Sequence, residues 1–181
     1  MKKISEIIIE DNLNKEYTEL RVRKTARGII FNNNRDKILM VFSKHYNDYT
    51  FPGGGIRDDE DIIEGLKREL SEEIGALEIT NIREFGQLEE LKNSYKHQST
   101  NIYHQISYYF LVDVIRFGKP NLIEAEIRQG LTAVWVEPEV ALKHNMIAID
   151  DELHQKQGIK TALIRENTIL EKIIGGIDEK V

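Results

Sequence analysis

Residues 53–76 read GGGIRDDEDIIEGLKRELSEEIGA: three consecutive glycines, an acidic cluster, then an amphipathic segment. Asp58 and Asp59 offer N-capping oxygens, the acidic first turn suits the positive end of a helix dipole, and Gly75 stands where a glycine ends a helix. The spacing predicts a helix from about Asp61 to Ile74. At about 100° per residue, Ile63, Leu66, Leu70 and Ile74 share one sector, and Glu69, Glu72 and Glu73 share another roughly 110° away. One face packs and the neighbouring face collects carboxylates.

Upstream, residues 20–31, the polar turn 32–36 and residues 38–42 predict a hairpin, because Asn and Asp tolerate the positive φ of tight turns. Residues 1–18 are polar apart from Ile7, Ile8, Ile9 and Leu13, and read as a short strand or a loosely attached arm. Downstream, residues 77–91 read as extended with a break at Gly86, residues 92–101 as a polar loop, and residues 102–117 as a long strand rich in Tyr, Ile, Val and Phe. Residues 131–136 form another strand, ended by Glu137-Pro138, which opens a short helix through about Lys143. Residues 151–174 have helical spacing at Ile159, Ala162, Leu163, Ile169, Leu170, Ile173 and Ile174, with Gly158 as a weak point and Gly175-Gly176 as the stop. No repeat or linker divides the chain. The expectation is one α+β domain over residues 19–181, including the C-terminal helix 151–174, with residues 1–18 as an N-terminal arm.

Composition narrows the function classes. The chain has 181 residues, 25 Lys plus Arg against 31 Asp plus Glu, and 40% hydrophobic residues, enough to bury a core. The net charge of −6 argues against coating long nucleic acid, whose affinity comes from clustered Lys and Arg. The absence of cysteine excludes disulfides, thiolate zinc sites, iron–sulfur clusters and cysteine nucleophiles. The charged N-terminus lacks the apolar run of a signal peptide, and no stretch approaches the roughly 18 apolar residues of a membrane span. The reading is a soluble, cytoplasmic protein without a membrane partner.

Glu69, Glu72 and Glu73 have i, i+3, i+4 spacing, so their side chains leave one side of the helix. Such a triplet is either a solvated acidic face partly neutralised by Arg68 or a set of oxygen ligands for hard divalent cations. The glycines just upstream let backbone pass close to a ligand, and phosphate oxygens bridged by such cations fit both features. The glycines match neither GxGxxG nor the GxxxxGK[ST] phosphate loop. A di-iron bundle needs ExxH pairs, and this helix has no His.

Gly54, Glu60 and then Arg68-Glu69-Leu70-Ser71-Glu72-Glu73-Ile74-Gly75-Ala76, at their spacing, resemble the signature of the Nudix hydrolases. Ala26-Arg27-Gly28-Ile29-Ile30, the approach Tyr49-Thr50-Phe51-Pro52-Gly53-Gly54-Gly55 and the Trp135-Val136 strand extend the resemblance over roughly residues 20–145. Ala76 is smaller than the usual aliphatic, and Asp59 replaces a glycine often found before the first Glu of the motif.

The resemblance implies an α/β/α sandwich around a mixed sheet and a Mg²⁺- or Mn²⁺-dependent hydrolysis of a nucleoside diphosphate linked to another group, of ADP-ribose or nucleotide-sugar type. The alternatives are a housecleaning hydrolase of modified nucleoside triphosphates such as 8-oxo-dGTP, a non-catalytic Nudix-fold nucleotide-binding regulator, or a hydrolase of an RNA cap. It implies Glu69 and Glu73 as principal metal ligands and Glu72 and Glu60 as ligands directly, through water, or as base. Arg68 orients the glutamates, and Gly53, Gly54 and Gly55 approach the diphosphate. Arg27 matches a position often near the ligand or is an ordinary surface Arg, and Glu90 and Glu126 either lie where some relatives have further metal or catalytic carboxylates or are solvated surface residues. His97 and His104 fit either structural positions or pocket-facing acid, base or base-recognition groups. Among Tyr103, Tyr108, Tyr109 and Phe110, one or two face a ligand and the others the core. Trp135 is read as packing in the core or against the sheet edge. The C-terminal helix covers the sheet or pairs with a second subunit, which keeps a homodimer open.

Overall fold

The computed structural model describes residues 1–94, 101–155 and 159–176. Eight strands and five helices follow one another among the described residues: β1 (Ile8–Ile9), β2 (Leu20–Ile29), β3 (Ile38–Ser43), β4 (Asp48–Thr50), β5 (Gly53–Gly55), α1 (Ile62–Ile74), β6 (Ala76–Asn93), β7 (Ile102–Phe117), α2 (Glu124–Gln129), β8 (Leu131–Val136), α3 (Pro138–Ala148), α4 (Glu152–Gln155) and α5 (Ile159–Ile174). A mixed sheet has the order β1-β6-β7-β2-β5, and a second, antiparallel sheet has the order β4-β3-β8. The chain is of the α+β class.

Alternation of side chains divides the interior between two faces. Ile29, Ile38, Met40, Phe51, Leu88 and Tyr109 pack with Ile169, Leu170 and Ile173 of α5. Ala26, Ile30, Leu39, Val41, Phe110 and Val112 pack with Leu66, Leu70 and Ile74 of α1. The expected helical face is the one that packs, and α5 covers the sheet.

The predicted hairpin is corrected. The turn forms, with Asn32 N–H bonded to the Lys37 carbonyl and Leu39 N–H to the Ile30 carbonyl, but the strands then part into different sheets. β2 pairs with β7 and β5, and β3 with β4 and β8. The run Ile38–Val41 is apolar on both faces, so it needs cover on both sides, as a lone hairpin does not give. The positive φ, 58°, falls on Arg35 and not on an Asn or Asp.

Other boundaries shift. The N-cap of α1 is Asp61, not Asp58 or Asp59: its Oδ1 accepts the N–H of Ile63 at 2.8 Å and of Glu64 at 3.3 Å. The arm is not loose, because β1 pairs in parallel with β6, and Lys2 and Ile4 exchange backbone hydrogen bonds with Gln87. α3 extends past Lys143 to Ala148. α2 was not expected, since six residues with no buried side chain leave no apolar stripe. The Gly158 weak point and most of the predicted polar loop lie outside the described residues.

Leu70 is fully buried, with Cδ2 3.1 Å from where Gly28 would carry a Cβ. Leu70→Ala should therefore lower the unfolding free energy by about 2–5 kcal/mol, measured by urea titration, with little change in far-UV circular dichroism.

Candidate active site

The glycine strand β5 is the edge of the mixed sheet and runs antiparallel to β2, with Arg27 opposite Gly53 and Ala26 opposite Gly54. Gly53 has φ 132°, a conformation that L side chains rarely adopt, and a Cβ on it would lie 2.1 Å from the Ala26 carbonyl oxygen. A Cβ on Gly54 would lie 2.2 Å from Glu69 Oε2. Only glycine lets the α1 carboxylate rest directly on this backbone.

Arg68 organises the cluster. Its Nε and Nη2 donate to the two oxygens of Glu60 at 2.7 and 2.8 Å, a forked, charge-assisted pair. Its Nη1 donates to Glu69 Oε1 at 2.6 Å and Glu72 Oε2 at 3.1 Å, and its Nη2 also donates to the Gly55 carbonyl at 2.9 Å. The Arg68 fork, helped by the Arg57 backbone N–H, holds the Glu60 carboxyl down to about 2. Glu73 takes a different partner: the Gly53 N–H donates to its Oε2 at 2.7 Å. Arg68, Glu69 and Glu73 thus meet the glycine strand expected beside them, and Arg68 joins Glu60 and Glu72 to it.

Among the described residues, no three acidic or histidine side chains stand in an arrangement that would hold an ion as they are placed. The oxygens are engaged by Arg68 and by the Gly53 N–H. Their chemistry nevertheless fits a hard divalent cation. All are carboxylates, and Glu73 is a recessed carboxyl with one neutral hydrogen-bond donor, for which a cation would compensate the lost hydration.

The remaining candidates are placed elsewhere or differently. Arg27 donates through Nη1 to the Phe51 carbonyl at 2.6 Å. Glu90 is not a solvated residue: it is fully buried and bonded to Arg165. The Glu126 carboxylate accepts the Ile123 N–H at 2.8 Å, at the start of α2. His104 Nε2 lies 2.8 Å from Glu89 Oε2, and Lys3 Nζ lies 2.7 Å from Glu89 Oε1. His97 lies outside the described residues. Tyr109 and Phe110 belong to the two cores, while Tyr103 and Tyr108 are half-buried. Trp135 is 43% exposed on the edge strand β8, where it lines a cleft of about 420 Å³ with Phe31, Asn32 and Phe117.

Sequence reading named Phe51 only within the approach to the glycines and missed Arg165 and Glu166. The signal for the last was present: Glu166 occupies a position of the apolar stripe that runs through Leu163, Ile169, Leu170 and Ile173, and all five are buried.

The chain matches the NUDIX domain family over residues 22–157 and belongs to that family. Over 60 residues it is 42% identical to the 8-oxo-dGTP diphosphatase of Buchnera aphidicola subsp. Schizaphis graminum (strain Sg), a match covering 32% of this chain and 45% of that protein. This chain thus spans under half the length of that relative. Similar solved structures include MutT from work on the Aliivibrio salmonicida and Vibrio cholerae proteins (TM-score 0.46, 23% identity, 74% of this chain and 93% of the other). Another is the MutT NUDIX hydrolase from Burkholderia pseudomallei (TM-score 0.46, 17% identity, 66% of this chain and 85% of the other). No helix among the described residues is long and apolar enough to cross a membrane.

Burial raises the Glu73 carboxyl to about 7, against the opposing pull of the Gly53 N–H. A carboxyl whose folded pKa lies above its unfolded 4.5 contributes stability fully below 4.5 and loses it as pH rises through about 7. With chelator present, Tm should fall between roughly pH 5 and 8, and Glu73→Gln should flatten that part of the fall. A slope unchanged by the substitution contradicts the assignment.

Proposed function

We propose that the protein is a divalent-metal-dependent pyrophosphohydrolase of nucleotides. The close approach of Glu69 to Gly54 carries this reading, because it sets a carboxylate cluster against backbone that no side chain screens. Glu60, Glu69, Glu72 and Glu73 would hold Mg²⁺ or Mn²⁺. Such an ion, when bound, supplies charge to the diphosphate and polarises the attacking water.

The chain's own residues do the rest. Water adds to phosphorus, the bridging P–O bond breaks, and a carboxylate of the cluster accepts the proton. Arg68 gathers Glu60, Glu69 and Glu72 at one guanidinium, from which their oxygens would turn to hold an ion. The Gly53 N–H fixes Glu73, and the backbone of Gly53, Gly54 and Gly55 would approach the diphosphate. Arg27, in register with Gly53, supplies a cation beside that backbone.

For the substrate we propose a modified nucleoside triphosphate of the 8-oxo-dGTP kind, because the relative that shares 42% identity over 60 residues carries the name of that activity. The comparisons do not single out the ADP-ribose or nucleotide-sugar class. Product analysis separates the two: a triphosphate cleaved this way leaves a nucleoside monophosphate and pyrophosphate, whereas a linked diphosphate leaves two monophosphate-bearing products. With Mg²⁺ or Mn²⁺, modified triphosphates should be turned over best within a panel covering both classes. Glu69→Gln should cost about 10²-fold or more in kcat while the fold persists. Absence of phosphate-bearing products across the panel overturns the enzyme reading.

A further inference from the structure

The family match ends at residue 157, ahead of α5, yet α5 sends two charged side chains into the interior. Arg165 is 2% exposed and Glu166 fully buried. Arg165 donates to Glu166 Oε1 through Nη2 at 2.6 Å and through Nε at 3.0 Å. The same Nε donates to the Tyr109 hydroxyl at 3.0 Å, and Nη1 donates to Glu90 Oε2. The second oxygen of Glu166 is directed elsewhere: Oε2 accepts the backbone N–H of Phe51 at 2.9 Å. Arg27, with Nε 3.6 Å from Glu166 Oε1, donates to the Phe51 carbonyl.

Both main-chain groups of Phe51 are therefore held by one buried ion network. Pro52 follows, with its φ fixed by the ring and its carbonyl bonded to the Gly28 N–H at 2.9 Å. The next residue, Gly53, is the one whose N–H holds Glu73. Little slack separates the helix carboxylate from the site carboxylate. A leucine at residue 166 would match the apolar stripe and avoid the desolvation of a buried charge, but it would offer no acceptor to the Phe51 N–H.

We infer that Glu166 is a positioning residue for the metal site: by holding the Phe51 N–H it sets where the glycine strand places the Gly53 N–H that holds Glu73. The inference rests on the metal-site reading above. It makes α5 part of the functional unit, although the helix lies outside the matched family region.

Three variants test it, with Mn²⁺ as the binding probe and Mg²⁺ as the ion for hydrogen exchange. Glu166→Gln removes the charge, Glu166→Asp keeps the charge but draws the oxygen back from Phe51, and Glu90→Gln disturbs the same network without touching Phe51. The folded Glu166 variants should bind Mn²⁺ about tenfold more weakly in calorimetry and lose kcat by a similar factor, with KM within about twofold. Glu90→Gln should lower Tm yet leave Mn²⁺ affinity and kcat within about twofold. A folded Glu166→Asp with parental Mn²⁺ affinity and kcat overturns the inference, as does a Glu90→Gln that loses as much as the Glu166 variants. Should neither Glu166 variant fold, hydrogen exchange in the parent decides. Mg²⁺ should protect the Phe51 and Gly53 amides together, and protection of Gly53 alone overturns it. A parent that binds no Mn²⁺ overturns the metal-site reading and this inference with it, whereas a binding parent with unaffected variants overturns this inference alone.

Discussion

Carboxylates on adjoining turns of one helix repel one another, and such a cluster weakens the helix unless a cation lies among them. In this chain Arg68 is that cation, bonded at once to Glu60, Glu69, Glu72 and the Gly55 carbonyl. One guanidinium thereby ties the loop before α1, the helix itself and the glycine strand into a single unit. Its five donors in a rigid plane suit the task, and a lysine ammonium, as a point charge, would not reproduce the fork on Glu60. Within the acidic signature segment, residues 54–76, Glu60, Glu69 and Glu72 converge on Arg68, Glu64 pairs with Lys67, and Asp61 caps the helix N-terminus. Under the proposed function, the same convergence prepares the carboxylates for a divalent cation.

The fold supports that unit from both faces of the sheet. Leu66, Leu70 and Ile74 seat α1 on Ala26, Phe110 and Val112, which fixes the height of the carboxylates above the sheet. On the opposite face, α5 covers Ile29, Leu88 and Tyr109 with its C-terminal half and carries Arg165 and Glu166 ahead of it. Fixing the edge strand β5 from two sides matters because an edge has a hydrogen-bonded neighbour on one side alone, here β2. The side-chain bonds to Phe51, just ahead of β5, and the Gly53 bond to Glu73 add restraints on that edge.

Local features were legible in the sequence. The helix at Glu69, Glu72 and Glu73 announced itself by periodicity and by Gly75, and the long strand β7 by its β-branched and aromatic content. Non-local pairings were not. The separation of β2 from β3 depends on β7 and β8, whose registers with them no turn residue encodes. Glu90 looked like a surface carboxylate because its partner, Arg165, lies 75 residues away in sequence. Glu166 was hidden in the same way, since its acceptor role concerns a backbone N–H 115 residues earlier. A charged residue inside an apolar helical stripe was the one local trace of this network, and its meaning required the sheet beneath it.

Under the proposed function, the α1 carboxylates and the glycine strand together form a divalent-cation site. Paramagnetic broadening by substoichiometric Mn²⁺ in an amide-resolved NMR spectrum tests it most directly. Signals of Gly53, Gly54, Glu69 and Glu73 should vanish first while those of His104 and Trp135 persist. Broadening centred anywhere else, or none at all, would contradict it.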